Sequence, residues 1–305
     1  MPTLREIPLL HNFQMKSSIQ DIMRNHSKQL EAALNIDSSS ARIEVQCLLQ
    51  AVLQVNRAWL LSHPEQSLDA APHAQYMALL GRRLAGEPIA YLLGDREFYG
   101  LAFKVTPATL IPRPETELLV ELALQRIPQQ GTCRILDLGT GSGAIALSIA
   151  HARPNAQVVA VDASQDALKV ALHNTHTLRL ANVRLLFSDW FGALQGERFD
   201  IIVSNPPYIA AGDVHLAQGD VRFEPRDALI SGTDGLDDIR LICTQARVHL
   251  RPKGWLIFEH GHDQAAQARA FLQQAGFAEV FSARDLSGIE RVSGGARLSD
   301  TDSMV

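Results

Sequence analysis

The sequence has few cysteines, no long apolar run and no excess of basic residues. Its three cysteines, Cys47, Cys133 and Cys243, are far apart and form no Cys-x-x-Cys pair, which argues against a disulfide framework or a zinc site. No apolar run approaches the ~20 residues of a membrane-spanning helix. The formal net charge of −5 argues against a nucleic-acid backbone as the main partner. We therefore expect a cytoplasmic protein with no metal, membrane or direct nucleic-acid partner.

The composition is that of a globular protein with a sizeable core. Of its 305 residues, 46% are hydrophobic and 20% are charged, enough for one large domain or two unequal ones. Residues 1–8 contain an acid and two prolines where a signal peptide needs an apolar segment. We interpret residues 1–15 as a loose extension and Met15 as an alternative start, and we expect a monomer.

The first part of the chain has helical periodicity. Apolar residues recur at helical spacing from Ile19 to Leu34 and again from Val45 to Leu53. A short helix near 57–62 and a longer one over 73–85 follow. These patterns predict an all-α domain over residues 1–86.

The next stretch changes character. Residues 89–105 are rich in β-branched and aromatic residues, with turn signals at Gly94 and Gly100, and this predicts a β-hairpin. We expect residues 87–108 to be a hairpin linker. A proline-rich extended segment over 106–117 then leads into a helix that ends near residue 127.

From Arg134 onward, strand and helix patterns alternate, as in a parallel sheet covered by helices on both faces. The last two strands are expected to pair with each other, and the polar residues from Ser299 are expected to fray. Residues 109–305 therefore predict an α/β domain with a Rossmann-like, seven-stranded mixed sheet. The predicted strands are 134–138, 157–161, 183–187, 199–204, 254–259, 277–283 and 289–297, and the predicted helices are 144–152, 164–178, 235–250 and 263–275.

A glycine loop follows the first strand of this domain. The segment Asp-Leu-Gly-Thr-Gly-Ser-Gly (137–143) lets a ligand approach the main chain at a helix N-terminus. Asp162 ends the second strand, at the spacing of a ribose-binding carboxylate. Both a dinucleotide and S-adenosylmethionine fit this pattern.

A rigid corner, Asn-Pro-Pro-Tyr (205–208), ends the fourth strand. Proline stops strand pairing, so the corner lies at the carboxyl edge of the sheet, where ligands bind. The Asn205 side-chain oxygen and the Pro206 carbonyl provide two acceptors for one –NH2 group, and Tyr208 provides a flat face. Alone, the corner is equally a strand-ending turn.

A third motif, Ser-Asp-Trp (188–190), follows the third strand, where an adenine would lie. Asp189 can accept from its exocyclic amine and Trp190 can cover the ring, although a structural tryptophan fits as well. A two-acceptor clamp for –NH2 suits an N-methyltransferase and has no use in hydride transfer. The motifs together favour methyl transfer.

These residues resemble the class I S-adenosylmethionine-dependent methyltransferases and, more narrowly, the HemK/PrmC family. The resemblance covers roughly residues 17–297. Besides the motifs above, it rests on Gly-Glu-Pro-Ile-Ala-Tyr (86–91), Arg-Glu-Phe-Tyr-Gly (96–100), Thr-Leu-Ile-Pro-Arg-Pro-Glu-Thr-Glu (109–117), Asp-Val-Arg-Phe-Glu-Pro (220–225) and Glu-His-Gly (259–261).

The resemblance implies specific roles for these positions. Asn205 and Pro206 would be catalytic, and the helical N-terminal domain would recognise the substrate. The cofactor S-adenosylmethionine, which leaves as S-adenosylhomocysteine, would contact Gly139, Thr140, Gly141, Ser142, Gly143, Asp162, Trp190 and Asn205. The acceptor glutamine would contact Asn205, Pro206, Pro207 and Tyr208.

The family's substrate is the glutamine of the Gly-Gly-Gln loop in class I peptide chain release factors, whose side-chain nitrogen (N5) is methylated. A sister group that acts on a ribosomal protein has Ser-Pro where this chain has Pro114-Glu115, so the release-factor branch is favoured. An adenine or cytosine amino-methyltransferase of DNA or RNA uses the same corner. A dinucleotide oxidoreductase and an inactive release-factor-binding adaptor are further alternatives. Arg113, Arg222 and Glu224 either shape the mouth of the site or form surface ion pairs.

Overall fold

The computed structural model describes residues 17–299, and the chain divides into two compact units between Leu93 and Gly94. The predicted extension over 1–15, with Met15, lies outside the described residues. Each unit has an apolar core of its own. No helix within residues 17–299 is both long and apolar enough to cross a membrane.

The first unit is helical, as predicted. Polar side chains begin three of its helices: Ser18, Asp37 and Asn56 each accept a hydrogen bond from a backbone N–H in the first turn. The apolar stripes of the first two helices form the core of this unit. The helices are α1 (Ile19–Leu34), α2 (Ser38–Leu53), α3 (Arg57–Ser62), α4 (Ala70–Leu84) and α5 (Ile89–Leu93).

The hairpin predicted over residues 89–105 was wrong in its first part, because α5 occupies residues 89–93. Pro88 precedes this helix and its carbonyl accepts from Tyr91 and Leu92, and a proline at a helix start has no N–H to leave unpaired. The hairpin itself is short and antiparallel, with strands β1 (Asp95–Phe98) and β2 (Leu101–Lys104). It belongs to the second unit.

The second unit contains the predicted seven-stranded mixed sheet. The strand order is β5-β4-β3-β6-β7-β9-β8, and β9 is antiparallel to both of its neighbours. The strands are β3 (Arg134–Leu138), β4 (Gln157–Asp162), β5 (Val183–Phe187), β6 (Phe199–Ser204), β7 (Leu250–Glu259), β8 (Phe277–Arg284) and β9 (Glu290–Arg297). The helices are α6 (Glu117–Leu124), α7 (Ala144–Ala152), α8 (Gln165–Thr177), α9 (Asp237–His249) and α10 (Ala265–Gln274).

The order of the central strands decides where a ligand can bind. The chain runs outward from β3 through β4 to β5 and then returns to place β6 on the other side of β3. A crevice opens at such a switch point, outside the carboxyl ends of the two strands. Leu138 pairs with Ser204 across β3 and β6, and the Ser204 hydroxyl donates to the Leu138 carbonyl at 2.8 Å. Gly139 and Asn205, the next residues, therefore start side by side.

Candidate active site

The glycine loop is folded against the end of β4. Gly139, Gly141 and Gly143 have φ values of 70°, 56° and 86°, in the left-handed region that side chains disfavour. Asp162 accepts hydrogen bonds from the backbone N–H groups of Gly141 and Ser164, each at 2.8 Å. Asp162 therefore fixes the shape of the loop.

A cavity of about 610 Å³ opens beside this loop. It is lined by Gly139, Thr140, Gly141 and Ser142, and also by Asp162, Ser188, Asp189, Trp190, Asn205 and Pro207. The topology thus brings together the three sequence motifs that follow β3, β4 and β5 with the corner that follows β6. Gly143 and Pro206 are not among its lining residues; Gly143 is the N-cap of α7.

Trp190 forms part of the wall above the glycine loop. A Cβ atom at Gly139 would meet the Trp190 ring at 3.7 Å, so the ring lies over the loop backbone. The backbone carbonyl of Trp190 accepts from the Ser188 hydroxyl at 2.8 Å, which holds the Trp190 backbone after β5. Burial raises the pKa of Asp238, and the nearby Ser231 and Trp190 side chains oppose this shift.

The charge of this cavity is mainly negative. Among the described residues that line it are the carboxylates of Asp162, Asp189, Asp227 and Asp238, and a single cation, Arg113. Burial raises the pKa of Asp162 and of Asp238. A cationic ligand is therefore favoured here over an anionic one.

Arg113 and Glu224 form an ion pair with each other. The Glu224 side chain is fully buried and the Arg113 side chain is one-third exposed, so the surface ion pair proposed as one alternative for these residues is wrong for Glu224. Burial raises the pKa of Glu224. Arg113 lines the large cavity and also a smaller one beside residues 205–208, so Arg113 belongs to the wall between them and Glu224 holds it from behind.

The corner at residues 205–208 opens onto this second cavity of about 130 Å³. Asn205, Pro206 and Tyr208 line it, together with apolar side chains that include Leu110 and Ile209. Asn205 also lines the large cavity. Asn205 therefore lies at the boundary between the large cavity beside the glycine loop and the small cavity beside Tyr208.

Buried partners hold the tyrosine end of the corner. The Tyr208 hydroxyl donates to Glu259 at 3.2 Å, and the Gln264 amide donates to the Tyr208 carbonyl at 3.0 Å. Burial, with the neighbouring Glu259 carboxylate, raises the pKa of Tyr208, so its hydroxyl stays protonated. Gly235 packs directly against the Tyr208 backbone, since a Cβ atom at Gly235 would approach the Tyr208 carbonyl oxygen to 2.4 Å.

The asparagine end has its own partner. Asn205 Nδ2 donates to Thr116 Oγ1 at 3.2 Å. Because this contact uses the nitrogen of the amide, the oxygen is the atom left for a ligand. Within residues 17–299, no group of three or more histidine, cysteine or acidic side chains is placed to hold a metal ion.

Sequence reasoning missed four side chains that support this site: Thr116, Asp238, Glu259 and Gln264. Thr116 and Glu259 belong to segments that carried the family resemblance, but a segment does not reveal what its side chains touch. Asp238 lies in the first turn of helix α9 and Gln264 is the N-cap of α10. Only the folded sheet brings these residues to the corner and to Trp190.

Solved structures and family models agree with this architecture. A methyltransferase from Pyrococcus furiosus superposes with a TM-score of 0.50 at 20% identity, covering 72% of this chain and 98% of that one. The catalytic domain of hMettl16 gives a TM-score of 0.55 at 16% identity, covering 73% and 83%. The "Methyltransferase small domain" model matches residues 115–222, and the "PrmC N-terminal domain" model matches residues 21–94. The fold and site define a class I methyltransferase.

Curated relatives narrow the class further. The release factor glutamine methyltransferase of Bordetella pertussis is 54% identical over 85% of this chain and 96% of its own. The protein of that name from Escherichia coli is 47% identical over 90% and 97%. The chain belongs to the release factor glutamine methyltransferase family.

Proposed function

We propose that this protein transfers a methyl group from S-adenosylmethionine to the side-chain amide nitrogen of the glutamine in the Gly-Gly-Gln loop of class I peptide chain release factors. The observation that carries the proposal is the position of Asn205, which lines both the glycine-loop cavity and the small cavity beside Pro206 and Tyr208. A methyl donor in the first cavity and an amide in the second would meet at this residue. Family membership supports the choice of substrate.

The residues around the large cavity fit S-adenosylmethionine. The loop from Gly139 to Gly143 would lie along the amino-acid part, Asp162 would accept from the ribose hydroxyls, and Trp190 would cover the adenine. The excess of carboxylates suits a positively charged sulfonium and opposes a dinucleotide pyrophosphate, which supports the methyltransferase over the oxidoreductase alternative. When bound, S-adenosylmethionine supplies an electrophilic methyl group.

The corner is suited to a poor nucleophile. The lone pair of an amide nitrogen is delocalised into its carbonyl group, so the nitrogen must be held in line with the methyl carbon. Asn205 Oδ1 and the Pro206 carbonyl would each accept one N–H bond of the acceptor amide. These bonds strengthen as positive charge develops on the nitrogen, so they stabilise the transition state more than the bound substrate. The proton can leave after the new N–C bond has formed.

The remaining parts of the proposal concern the partner and its recognition. Residues 1–86 would recognise the release factor, and the protein would act in the cytoplasm as a monomer without binding nucleic acid. The match of residues 21–94 to the PrmC N-terminal domain model is consistent with such a recognition role. The net charge of −5 also suits a protein substrate better than a nucleic acid.

Mass spectrometry of a purified release factor, incubated with the protein and S-adenosylmethionine, tests the proposal. We expect the mass gain of one methyl group on the loop glutamine, and none on a release factor whose loop glutamine is replaced by alanine. Ribosomal proteins and total RNA serve as competing acceptors in parallel reactions. Methylation of one of these, with an unmodified release factor, would assign the enzyme to another branch.

A further inference from the structure

The Asn205 clamp depends on which way its side-chain amide faces. The oxygen and nitrogen of an amide are nearly equal in size, but only the oxygen accepts a hydrogen bond. An acceptor amide brings two N–H donors to the clamp. If the Asn205 nitrogen faced the acceptor, its N–H groups would meet the N–H groups of the acceptor amide and no hydrogen bond could form. A neighbouring group must therefore fix the orientation of the Asn205 amide.

Thr116 is in position to do so. Its hydroxyl oxygen accepts from Asn205 Nδ2 at 3.2 Å, and the residue is 4% exposed at the end of the 3₁₀ turn Pro114–Thr116. A hydroxyl can donate as well as accept, however. Thr116 alone would permit either orientation of the asparagine amide.

Glu259 removes this ambiguity. It is 2% exposed at the end of β7, and its Oε1 accepts from the Tyr208 hydroxyl at 3.2 Å, whereas its Oε2 is buried without a hydrogen-bond partner. Burial raises the pKa of Glu259, and the nearby Thr116 hydroxyl opposes this shift. A buried carboxylate oxygen that has no other donor is the acceptor available to the single hydroxyl proton of Thr116. The lone pairs of Thr116 are then left to accept from Asn205 Nδ2.

We propose that Thr116, oriented by the buried Glu259 carboxylate, is a positioning residue that turns Oδ1 of Asn205 toward the acceptor nitrogen. This inference rests on the proposed function, because it concerns the same amide clamp. Thr116 acts through Asn205 and Glu259 acts through Thr116. The same carboxylate also holds the Tyr208 hydroxyl, so one buried group supports both ends of the corner.

A matched pair of variants tests the role of Thr116. Thr116→Val keeps the shape of the side chain and removes the hydroxyl, whereas Thr116→Ser keeps the hydroxyl and removes a buried methyl group. We expect kcat to fall about 10- to 100-fold in the valine variant and to stay within about threefold of the parent in the serine variant. The KM for release factor and the affinity for S-adenosylhomocysteine should change by less than about threefold in both.

A purely structural role predicts a different result. Loss of a buried methyl group would then harm the serine variant at least as much as loss of the hydroxyl harms the valine variant. A valine variant with parental kcat, or a serine variant that loses as much kcat as the valine variant, overturns the proposal. Melting temperatures of both variants show whether each is folded at the assay temperature.

A double-mutant cycle tests whether Glu259 acts through Thr116. We expect Glu259→Gln to lower kcat in the parent background and to have a smaller effect in the Thr116→Val background. Equal effects in the two backgrounds would overturn the coupling. If the parent itself leaves the release-factor glutamine unmethylated, the proposed function fails and the positioning role fails with it. If the parent is active and Thr116→Val matches it, only the positioning role fails.

Discussion

The Asp162 carboxylate accepts from two backbone N–H groups of its own chain and also lines the large cavity. Each carboxylate oxygen has a further lone pair for a ligand hydroxyl. Asp162 therefore links the shape of the glycine loop to ligand binding. Its expected role concerns the cofactor, whereas that of Asn205 concerns the reacting nitrogen.

Asp162→Asn is expected to weaken S-adenosylhomocysteine binding at least about tenfold, because an amide has one acceptor where the carboxylate offers two. Turnover at saturating S-adenosylmethionine should change by only a few-fold. Isothermal titration calorimetry and steady-state kinetics measure the two effects. Asp166→Asn, which removes an exposed carboxylate paired with Lys169, is the matched control. Unchanged affinity with reduced turnover would contradict the assigned role.

At the level of elements, the end of β3 contains a buried carboxyl group. Asp137 is fully buried and lies directly before the glycine loop. Its pKa is raised to about 7 by burial, although the Thr140 hydroxyl donates to it at 2.6 Å. The strand that positions the loop therefore carries a group whose ionisation opposes folding.

This raised pKa predicts the pH dependence of stability. The carboxyl titrates near its ordinary value of 3.8 in the unfolded chain and near 7 in the folded protein, so between these values the folded state holds a proton that the unfolded state has lost. Stability falls as pH rises through this window, by about 4 kcal/mol at most. Asp137→Asn cannot ionise, so its free energy of unfolding relative to the parent should rise from pH 4 to pH 8.

Urea unfolding at several pH values measures this difference. Asp285→Asn is an informative control because hydrogen bonds, first that from the Ile289 N–H, lower the pKa of Asp285. Its carboxylate contributes stability at pH values above the ordinary pKa of 3.8 and loses it only as pH falls below that value, so the difference for Asp285→Asn should stay nearly constant through the window in which the difference for Asp137→Asn rises. A pH-independent difference for Asp137→Asn would contradict the account.

The sequence predicted elements well where a single local signal decided them. The bounds of β3 and β6 match the prediction, because a strand buried in a parallel sheet is a short apolar run between polar residues. The bounds of the half-exposed edge strand β5 match as well. Strand β7 begins at Leu250, four residues before the predicted start at 254. The prediction missed these residues because a charged, proline-containing stretch interrupts the pairing with β6 between Leu250 and Trp255. Helix α5 was missed because its β-branched and aromatic residues favour a strand. In the folded protein the helix-starting effect of Pro88 outweighs that preference.

The site was predictable to the extent that its residues are contiguous. The glycine loop and the 205–208 corner are short motifs whose backbone chemistry is visible in the sequence. The Asn205–Thr116 hydrogen bond is not, because these residues are far apart in the chain and meet only in the folded protein. Side-chain orientation depends on such contacts.

At the scale of the whole molecule, the chain has two units with separate apolar cores. Every residue that lines either cavity belongs to the second unit. The first unit matches the PrmC N-terminal domain model over 21–94. Methyl-donor binding and release-factor recognition are therefore expected to be separable.

A fragment of residues 94–305 tests this separation. We expect it to fold and to bind S-adenosylhomocysteine within about threefold of the full chain, because it retains its own core and both cavities. Its kcat/KM for release factor should fall at least about tenfold, since the proposed recognition unit is missing. Circular dichroism, calorimetry and the methylation assay measure these properties. Parental kcat/KM in the fragment would contradict a recognition role for the first unit.

Single-turnover methylation of release factor at saturating S-adenosylmethionine, compared between Asn205→Ala and the parent, tests the Asn205 clamp most directly. If Asn205 Oδ1 holds the acceptor nitrogen, the rate should fall about 10²- to 10³-fold, while affinity for S-adenosylhomocysteine stays within a few-fold. A parental methylation rate in Asn205→Ala would contradict the clamp and the function built on it.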